Sequence, residues 1–122
     1  MIVYAYDDAQ GLEELKASLK GILGDKLIFK GFCDAEKLIA AAQREKYDIA
    51  FVNVEMNNRS GMLLFGKLKA RFPMRGFIGL SNTEMNSDCF TLIRYHATDY
   101  LIKPVDIDIL TESVANFRKT AC

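Results

Sequence analysis

Two kinds of hydrophobic pattern alternate along the chain without a linker or a low-complexity break. Short apolar runs, rich in β-branched residues, predict strands. Between them, apolar residues recur every three or four positions, which predicts helices that cover a sheet. The five predicted strands are Ile2 to Tyr6, Leu27 to Phe32, Ile49 to Val54, Gly76 to Ser81 and Asp99 to Ile102.

The five helical stripes span residues 12 to 23, 35 to 42, 64 to 72, 85 to 93 and 107 to 117. Asp34 and Asp106 precede the second and fifth stripes as predicted N-caps, and Pro73 ends the third. Strands such as AFVNV and FIGL are apolar throughout, as expected when helices cover both faces of a parallel sheet. The pattern therefore predicts a five-stranded parallel, doubly wound α/β sheet, because five units are too few for an eight-stranded barrel.

Composition narrows the class of protein. The 122 residues, of which 50% are hydrophobic, predict one domain over residues 1–122. Sixteen basic and sixteen acidic side chains balance, which argues against direct nucleic-acid binding, and no apolar run is long enough for a membrane span. Three scattered cysteines and the lack of a signal-peptide pattern indicate a reducing compartment, so we expect a cytoplasmic protein.

Polar residues that could carry chemistry follow four of the predicted strands. They are Asp7 and Asp8 after the first strand, Asn53 near the end of the third, Ser81 at the end of the fourth and Lys103 after the fifth. Each alone is most simply a cap, a turn residue or a solvated charge. The carboxyl ends of parallel strands share one edge of the sheet, however, so these residues are expected to converge on one crevice.

Four segments carry a resemblance to a known family. YDD at 6–8, DIAFVNVEMNNRSG at 48–61, IGLSN at 78–82 and HATDYLIKPV at 96–105 resemble, in family order, the receiver domain of bacterial two-component response regulators. The resemblance implies a flavodoxin-like, CheY-like fold. It also implies phosphorelay signalling, with a histidine kinase as one partner, and in many members an attached effector domain that regulates transcription.

The resemblance also implies a role for each site residue. Asp7 and Asp8 match the acidic pair that holds Mg²⁺, and the backbone carbonyl of Glu55 matches a further metal ligand. Ser81 and Lys103 match the hydroxyl and the ammonium group that contact the phosphoryl oxygens.

The residue at the phosphoacceptor position departs from the family pattern, which has aspartate there. Asn53 offers a neutral amide, which is a poor nucleophile, so an aspartyl phosphate cannot form at this position. Three carboxylates and a lysine would sum to −2, whereas Asp7, Asp8 and Lys103 sum to −1. We therefore expect a weak or absent Mg²⁺ site, with the Asn53 carbonyl as a remaining oxygen that could coordinate.

The expected function is binding rather than catalysis. Tyr100 matches the aromatic residue that, in this family, switches together with Ser81. Without a phosphoryl group nothing distinguishes the two switch states, so a shift requires a protein partner or another ligand. The predicted partner surface, for a second copy or another protein, comprises the fourth predicted helix, the fifth strand and the last helix.

Two alternatives stay open at this point. Asn53 could be an engineered replacement in an ordinary phospho-accepting receiver. The chain could also be a flavodoxin-like binder of a small molecule, although it contains neither GxGxxG nor GxxxxGKS and no catalytic triad pattern.

Overall fold

A computed structural model describes residues 1–72, 75–81 and 99–120. The strands are β1 (Ile2–Tyr6), β2 (Ile28–Phe32), β3 (Ile49–Asn53), β4 (Gly76–Ser81) and β5 (Asp99–Ile102). The helices are α1 (Ala9–Leu23), α2 (Ala35–Arg44), α3 (Met56–Arg71) and α4 (Ile107–Thr120), and a short 3₁₀ turn spans Gly24–Lys26. The fourth helix predicted from the sequence, residues 85 to 93, lies outside the described residues. The helix α4 therefore corresponds to the fifth predicted helix, residues 107 to 117.

All strand pairs are parallel, and the strand order is β2-β1-β3-β4-β5. This confirms the predicted doubly wound sheet. Two strand bounds differ by one residue, because Leu27 precedes β2 and β3 ends at Asn53. Val54 lies in the following turn, although its amide still donates to the carbonyl of Leu80 at 3.0 Å.

Aspartate side chains begin three helices by accepting hydrogen bonds from amides that have no partner within the helix. Asp8 accepts from Gly11 N at 2.8 Å, Asp34 from Glu36 N at 2.8 Å and Asp106 from the first turn of α4. The predicted caps Asp34 and Asp106 are confirmed. No helix within the described ranges is long and apolar enough to cross a membrane.

The two faces of the sheet bury different side chains. We call the cluster under α2 and α3 the aromatic core, since it contains Tyr4, Tyr6, Tyr47 and Phe77. The cluster under α1 and α4, the aliphatic core, is built mainly from leucine, isoleucine and valine. Successive residues of a strand point to opposite faces, so each inner strand contributes to both. Helices therefore cover both faces of the sheet, as predicted.

Tyr47 occupies the middle of the aromatic core. Its ring stacks on Tyr4 with centroids 5.0 Å apart and meets Phe72 and Phe77 edge-on. The side chain is 1% exposed, and its hydroxyl has no hydrogen-bond partner among the residues that the structure describes. Burial therefore raises the pKa of this hydroxyl far above its usual value.

Candidate functional site

The strand order brings the predicted site residues to one edge of the sheet. Asp7 follows β1, Asn53 ends the neighbouring β3, Ser81 ends β4, and Lys103 follows β5. A backbone hydrogen bond from Lys103 N to Ser81 O, 2.8 Å long, extends the pairing of the last two strands to the crevice. The predicted convergence of the strand ends is therefore present.

Asp7 is the centre of this crevice. Its side chain is fully buried, and both carboxylate oxygens accept hydrogen bonds from the protein. Oδ1 accepts from Asn53 Nδ2 and from the Asp8 amide, each at 2.8 Å. Oδ2 accepts from Lys103 Nζ at 2.5 Å. A buried carboxylate is tolerated when it is both paired and hydrogen-bonded, and Asp7 meets both conditions.

The orientation of the Asn53 amide is fixed from two sides. Its Nδ2 donates to Asp7, while its Oδ1 accepts from the Glu55 amide at 2.9 Å. Reversing the amide would place an oxygen against the carboxylate and an N–H against an N–H, and both hydrogen bonds would be lost. Asn53 therefore presents hydrogen atoms, not a lone pair, to Asp7. The expectation that its carbonyl could face a metal beside Asp7 does not match this geometry.

Gly11 is a site residue that the sequence analysis did not identify. A Cβ built at this position would lie 2.3 Å from Asp7 Oδ2, so any side chain would displace the carboxylate. Glycine is unfavourable inside a helix by about 1 kcal/mol relative to alanine. The available signal was a glycine in the first turn of α1, three residues after Asp8.

Gly61 has the same role on the other side of the crevice. A Cβ there would lie 2.0 Å from the backbone oxygen of Asn53, so α3 packs directly against the end of β3. The glycine thus fixes the turn that carries the Asn53 amide and its partner Glu55.

Asp8 and Glu55 were both predicted as metal ligands. The Asp8 side chain is exposed and accepts from Gly11 N as the cap of α1. Glu55 follows the predicted third strand, and its φ of −94° and ψ of −8° place it in a turn at the start of α3. The chain leaves the β conformation directly after Asn53, because α3 begins at Met56.

The remaining predicted residues are described in part. Ser81 is fully buried at the end of β4. Tyr100 pairs with Gly79 in the β4–β5 register, and its side chain lies outside the described residues. The peptide bond between Lys103 and Pro104 is cis.

The donor set does not fit Mg²⁺. This ion requires oxygen ligands with free lone pairs at near-octahedral positions. Here the oxygens of Asp7 already accept three protein donors, and Asn53 presents an N–H group. In the described part of the chain, no three His, Cys, Asp or Glu side chains are grouped as they would be around a metal. Lys103 and the Asn53 amide occupy the Asp7 oxygens instead.

Comparison with known proteins identifies the family. The sequence profile of the response regulator receiver domain matches residues 2–115. The chain therefore belongs to the response regulator receiver domain family. It is also 30% identical over 115 residues to an uncharacterised response regulatory protein of Shewanella oneidensis. That alignment covers 93% of this chain and 46% of the relative, so the chain spans about half the length of that protein.

Solved structures share the fold. A two-component response regulator from Clostridium difficile is 19% identical and superposes with a TM-score of 0.85, covering 98% of this chain and 96% of that one. A CheY-like receiver domain protein from Methanospirillum hungatei gives 16% identity and a TM-score of 0.84, with coverages of 98% and 94%. The regulator TrrA from Thermotoga maritima, solved with Mg²⁺ and a beryllium fluoride, is 20% identical and superposes with a TM-score of 0.79. The superposition covers 95% of this chain and 96% of TrrA.

Proposed function

We propose that this chain is a cytoplasmic, phosphorylation-independent receiver domain that passes its signal by binding protein rather than by catalysis. One observation carries the proposal: the side chain at the phosphoacceptor position is a carboxamide whose two ends are both hydrogen-bonded, to Asp7 and to the Glu55 amide. A carboxamide is a poor nucleophile, and in this arrangement its N–H end, not its oxygen, faces Asp7.

The charge distribution supports the same proposal. Phosphoryl transfer requires a cation that offsets charge on the transferred group, and the family resemblance implies that Lys103 would supply part of this charge. Lys103 is instead 2.5 Å from the Asp7 carboxylate, with 20% of its side chain exposed. Its charge is already balanced inside the protein, so an incoming phosphoryl group gains little from it.

The proposed partner surface includes β5 and α4. Ile107 and Ile109 at the start of α4 are 48% and 53% exposed, and Asp106 and Asp108 lie beside them. Exposed aliphatic side chains framed by charges are typical of protein contact sites. The fourth predicted helix belongs to the same predicted surface and lies outside the described residues.

The decisive experiment treats the protein with acetyl phosphate and Mg²⁺ and measures its intact mass. We expect no added phosphoryl group on the wild-type chain. Asn53→Asp, which restores the family residue, is the matched positive control and should gain one phosphoryl group under the same conditions. A wild-type adduct mapped to residues 53–55 would refute the proposal.

A second measurement tests the partner surface. Ile107→Asp and Ile109→Asp place charge on the exposed end of α4 and should weaken self-association or capture of a partner. Leu63→Asp is the control, because Leu63 is 70% exposed on α3 and lies outside the predicted surface. Equal loss of association in both sets would argue against this surface.

A further inference from the structure

A cavity of about 140 Å³ lies between α1 and the segment that leads from β5 into α4. Leu15, Leu80, Val105 and Leu110 form apolar walls. Asp7, Lys103 and Glu14 supply its charged groups. The cavity is therefore amphipathic, with an aliphatic interior and a small number of charges.

The volume limits the ligand to a small group. A cavity of roughly 150 Å³ in another protein accommodates a benzene ring, so about six heavy atoms fit here. This is the size of a short alkyl chain with one polar head, or of one long side chain.

The charged residues that line the cavity determine whether it favours a cationic or an anionic ligand head. Asp7 and Glu14 contribute −2 and Lys103 contributes +1, so the lining carries −1. The Asp7 and Lys103 charges neutralise each other across 2.5 Å, which leaves Glu14 as the unbalanced charge. Glu14 is exposed, and within the described part of the chain it accepts one hydrogen bond, from Gln10 to its Oε1 at 2.9 Å. Its Oε2 accepts none from that part of the chain and is available to a second donor.

We propose that this cavity binds an amphipathic monocation, a primary ammonium or guanidinium group on a short apolar stem. The stem packs against Leu15, Val105 and Leu110, and the cationic head stays near solvent beside Glu14. In this position the head keeps part of its hydration, which avoids the large cost of burying an unpaired charge. Lysine and arginine side chains and free alkylamines share this chemistry.

An anion fits the cavity less well. It would have to attract Lys103 away from a fully buried carboxylate, and a buried charge left without its partner is strongly unfavourable. The ligand preference is thus opposite to that of a phosphoryl-binding pocket. The proposal does not depend on whether Asn53 can be phosphorylated, because neither Asn53 nor Ser81 lines the cavity.

The test uses three ligands that each contain a four-carbon chain: n-butylammonium, n-butanol and butyrate. Each is titrated into the full chain, and amide NMR shifts of Leu15, Val105 and Leu110 are followed. We expect saturable shifts in the millimolar range for butylammonium and clearly weaker binding of the other two. Equal or tighter binding of butanol or butyrate, or shifts without saturation for all three ligands, would overturn the proposal.

Two variants and a matched control assign the site. Glu14→Gln should lower the butylammonium affinity roughly two- to fivefold, the range expected for an exposed ion pair. Glu13→Gln removes the same charge from an exposed neighbour that does not line the cavity, and should leave the affinity nearly unchanged. Ser18 also lines the cavity, so Ser18→Leu should fill it and abolish the saturable shifts. Equal effects of the two glutamate changes would contradict the assignment.

A peptide with one central lysine distinguishes the two sources of the cation. Tighter binding of this peptide than of butylammonium assigns the site to a basic side chain of a protein partner. Tighter binding of butylammonium assigns it to a free amine. A peptide with norleucine in place of the lysine should not bind, and saturable binding of that peptide would refute the need for a cation.

Discussion

Two buried polar side chains, Asp7 in the crevice and Tyr47 in the aromatic core, differ in how completely their polar atoms are hydrogen-bonded. In the crevice, Asp7 is fully buried and accepts three hydrogen bonds. In the aromatic core, Tyr47 is almost completely buried, and its hydroxyl has no hydrogen-bond partner within residues 1–72, 75–81 and 99–120. The tolerance of a fold for an unpaired group depends on charge, since an isolated buried ion is far more costly than a neutral hydroxyl.

Tyr47 and Asp7 also have different roles in the structure. Tyr47 contributes ring contacts with Tyr4, Phe72 and Phe77, which compensate for the unpaired hydroxyl. The buried charge of Asp7 is instead stabilised by its polar partners Lys103 and Asn53. The crevice is thus an interdependent polar network, whereas Tyr47 is a packing residue that carries one unsatisfied group.

The largest effect should come from removing the cation. Lys103→Met leaves the Asp7 carboxylate buried without its partner and should lower the free energy of unfolding by roughly 3 to 5 kcal/mol. Urea denaturation measures this loss. Adding Asp7→Asn to the same variant removes the unpaired charge and should recover much of the stability. A double variant no more stable than the single one would mean that Lys103 acts mainly through packing.

Restoring the acidic residue should have the next largest effect. Asn53→Asp replaces the donor to Asp7 with a second carboxylate and should lower the stability in EDTA by about 2 kcal/mol. Mg²⁺ should reverse this loss, since a ligand that binds the folded state stabilises it.

The wild-type midpoint of thermal unfolding serves as the control and should be nearly independent of Mg²⁺. A wild-type midpoint that rises with Mg²⁺ as strongly as that of the variant would contradict the description of the donor set.

A pair of glycine substitutions within α1 tests the close approach to Asp7. Gly11→Ala places a methyl group against Asp7 Oδ2 and should destabilise by about 1 to 3 kcal/mol. Gly21→Ala meets no atom within 4 Å and should stabilise by up to about 1 kcal/mol through helix propensity. Chemical denaturation of both variants checks the sign, and stabilisation by both would show that the carboxylate has room to move.

The smallest predicted effect is an increase in stability. Tyr47→Phe removes the unpaired hydroxyl, keeps the ring contacts and should raise the stability by about 1 kcal/mol. The raised pKa of Tyr47 adds a pH dependence. Below the unfolded tyrosine pKa of about 10 the hydroxyl is neutral in both states, and above it only the unfolded chain ionises readily. Wild-type stability should therefore fall more steeply above this pH than that of the variant, as unfolding curves at several alkaline pH values would reveal.

Much of the fold could be predicted because its signal is local. An apolar run bounded by polar residues shows where a strand lies, and every predicted strand agrees with the structure to within one residue at each end. The convergence of Asp7, Asn53 and Lys103 was predictable as well, since topology alone brings the strand ends together.

The hydrogen bonds of the crevice were not predictable, because they depend on contacts between distant segments. Spacing cannot show which end of the Asn53 amide faces Asp7, or that Lys103 reaches the same carboxylate from 96 positions away. The turn at Glu55 was missed for a similar reason, since α3 can begin so early only because Gly61 lets it approach the end of β3. The sequence therefore indicated which residues lie in the crevice, but not which of them form hydrogen bonds with each other.

Lys103 is attached to the domain at two points, by its ammonium group to Asp7 and by its amide to the Ser81 carbonyl. Its amide proton is consequently protected from solvent only while the segment after β5 stays joined to β4. Deuterium exchange at this single amide would report how often that edge of the molecule opens. The backbone thus carries its own probe of crevice opening, with no label required.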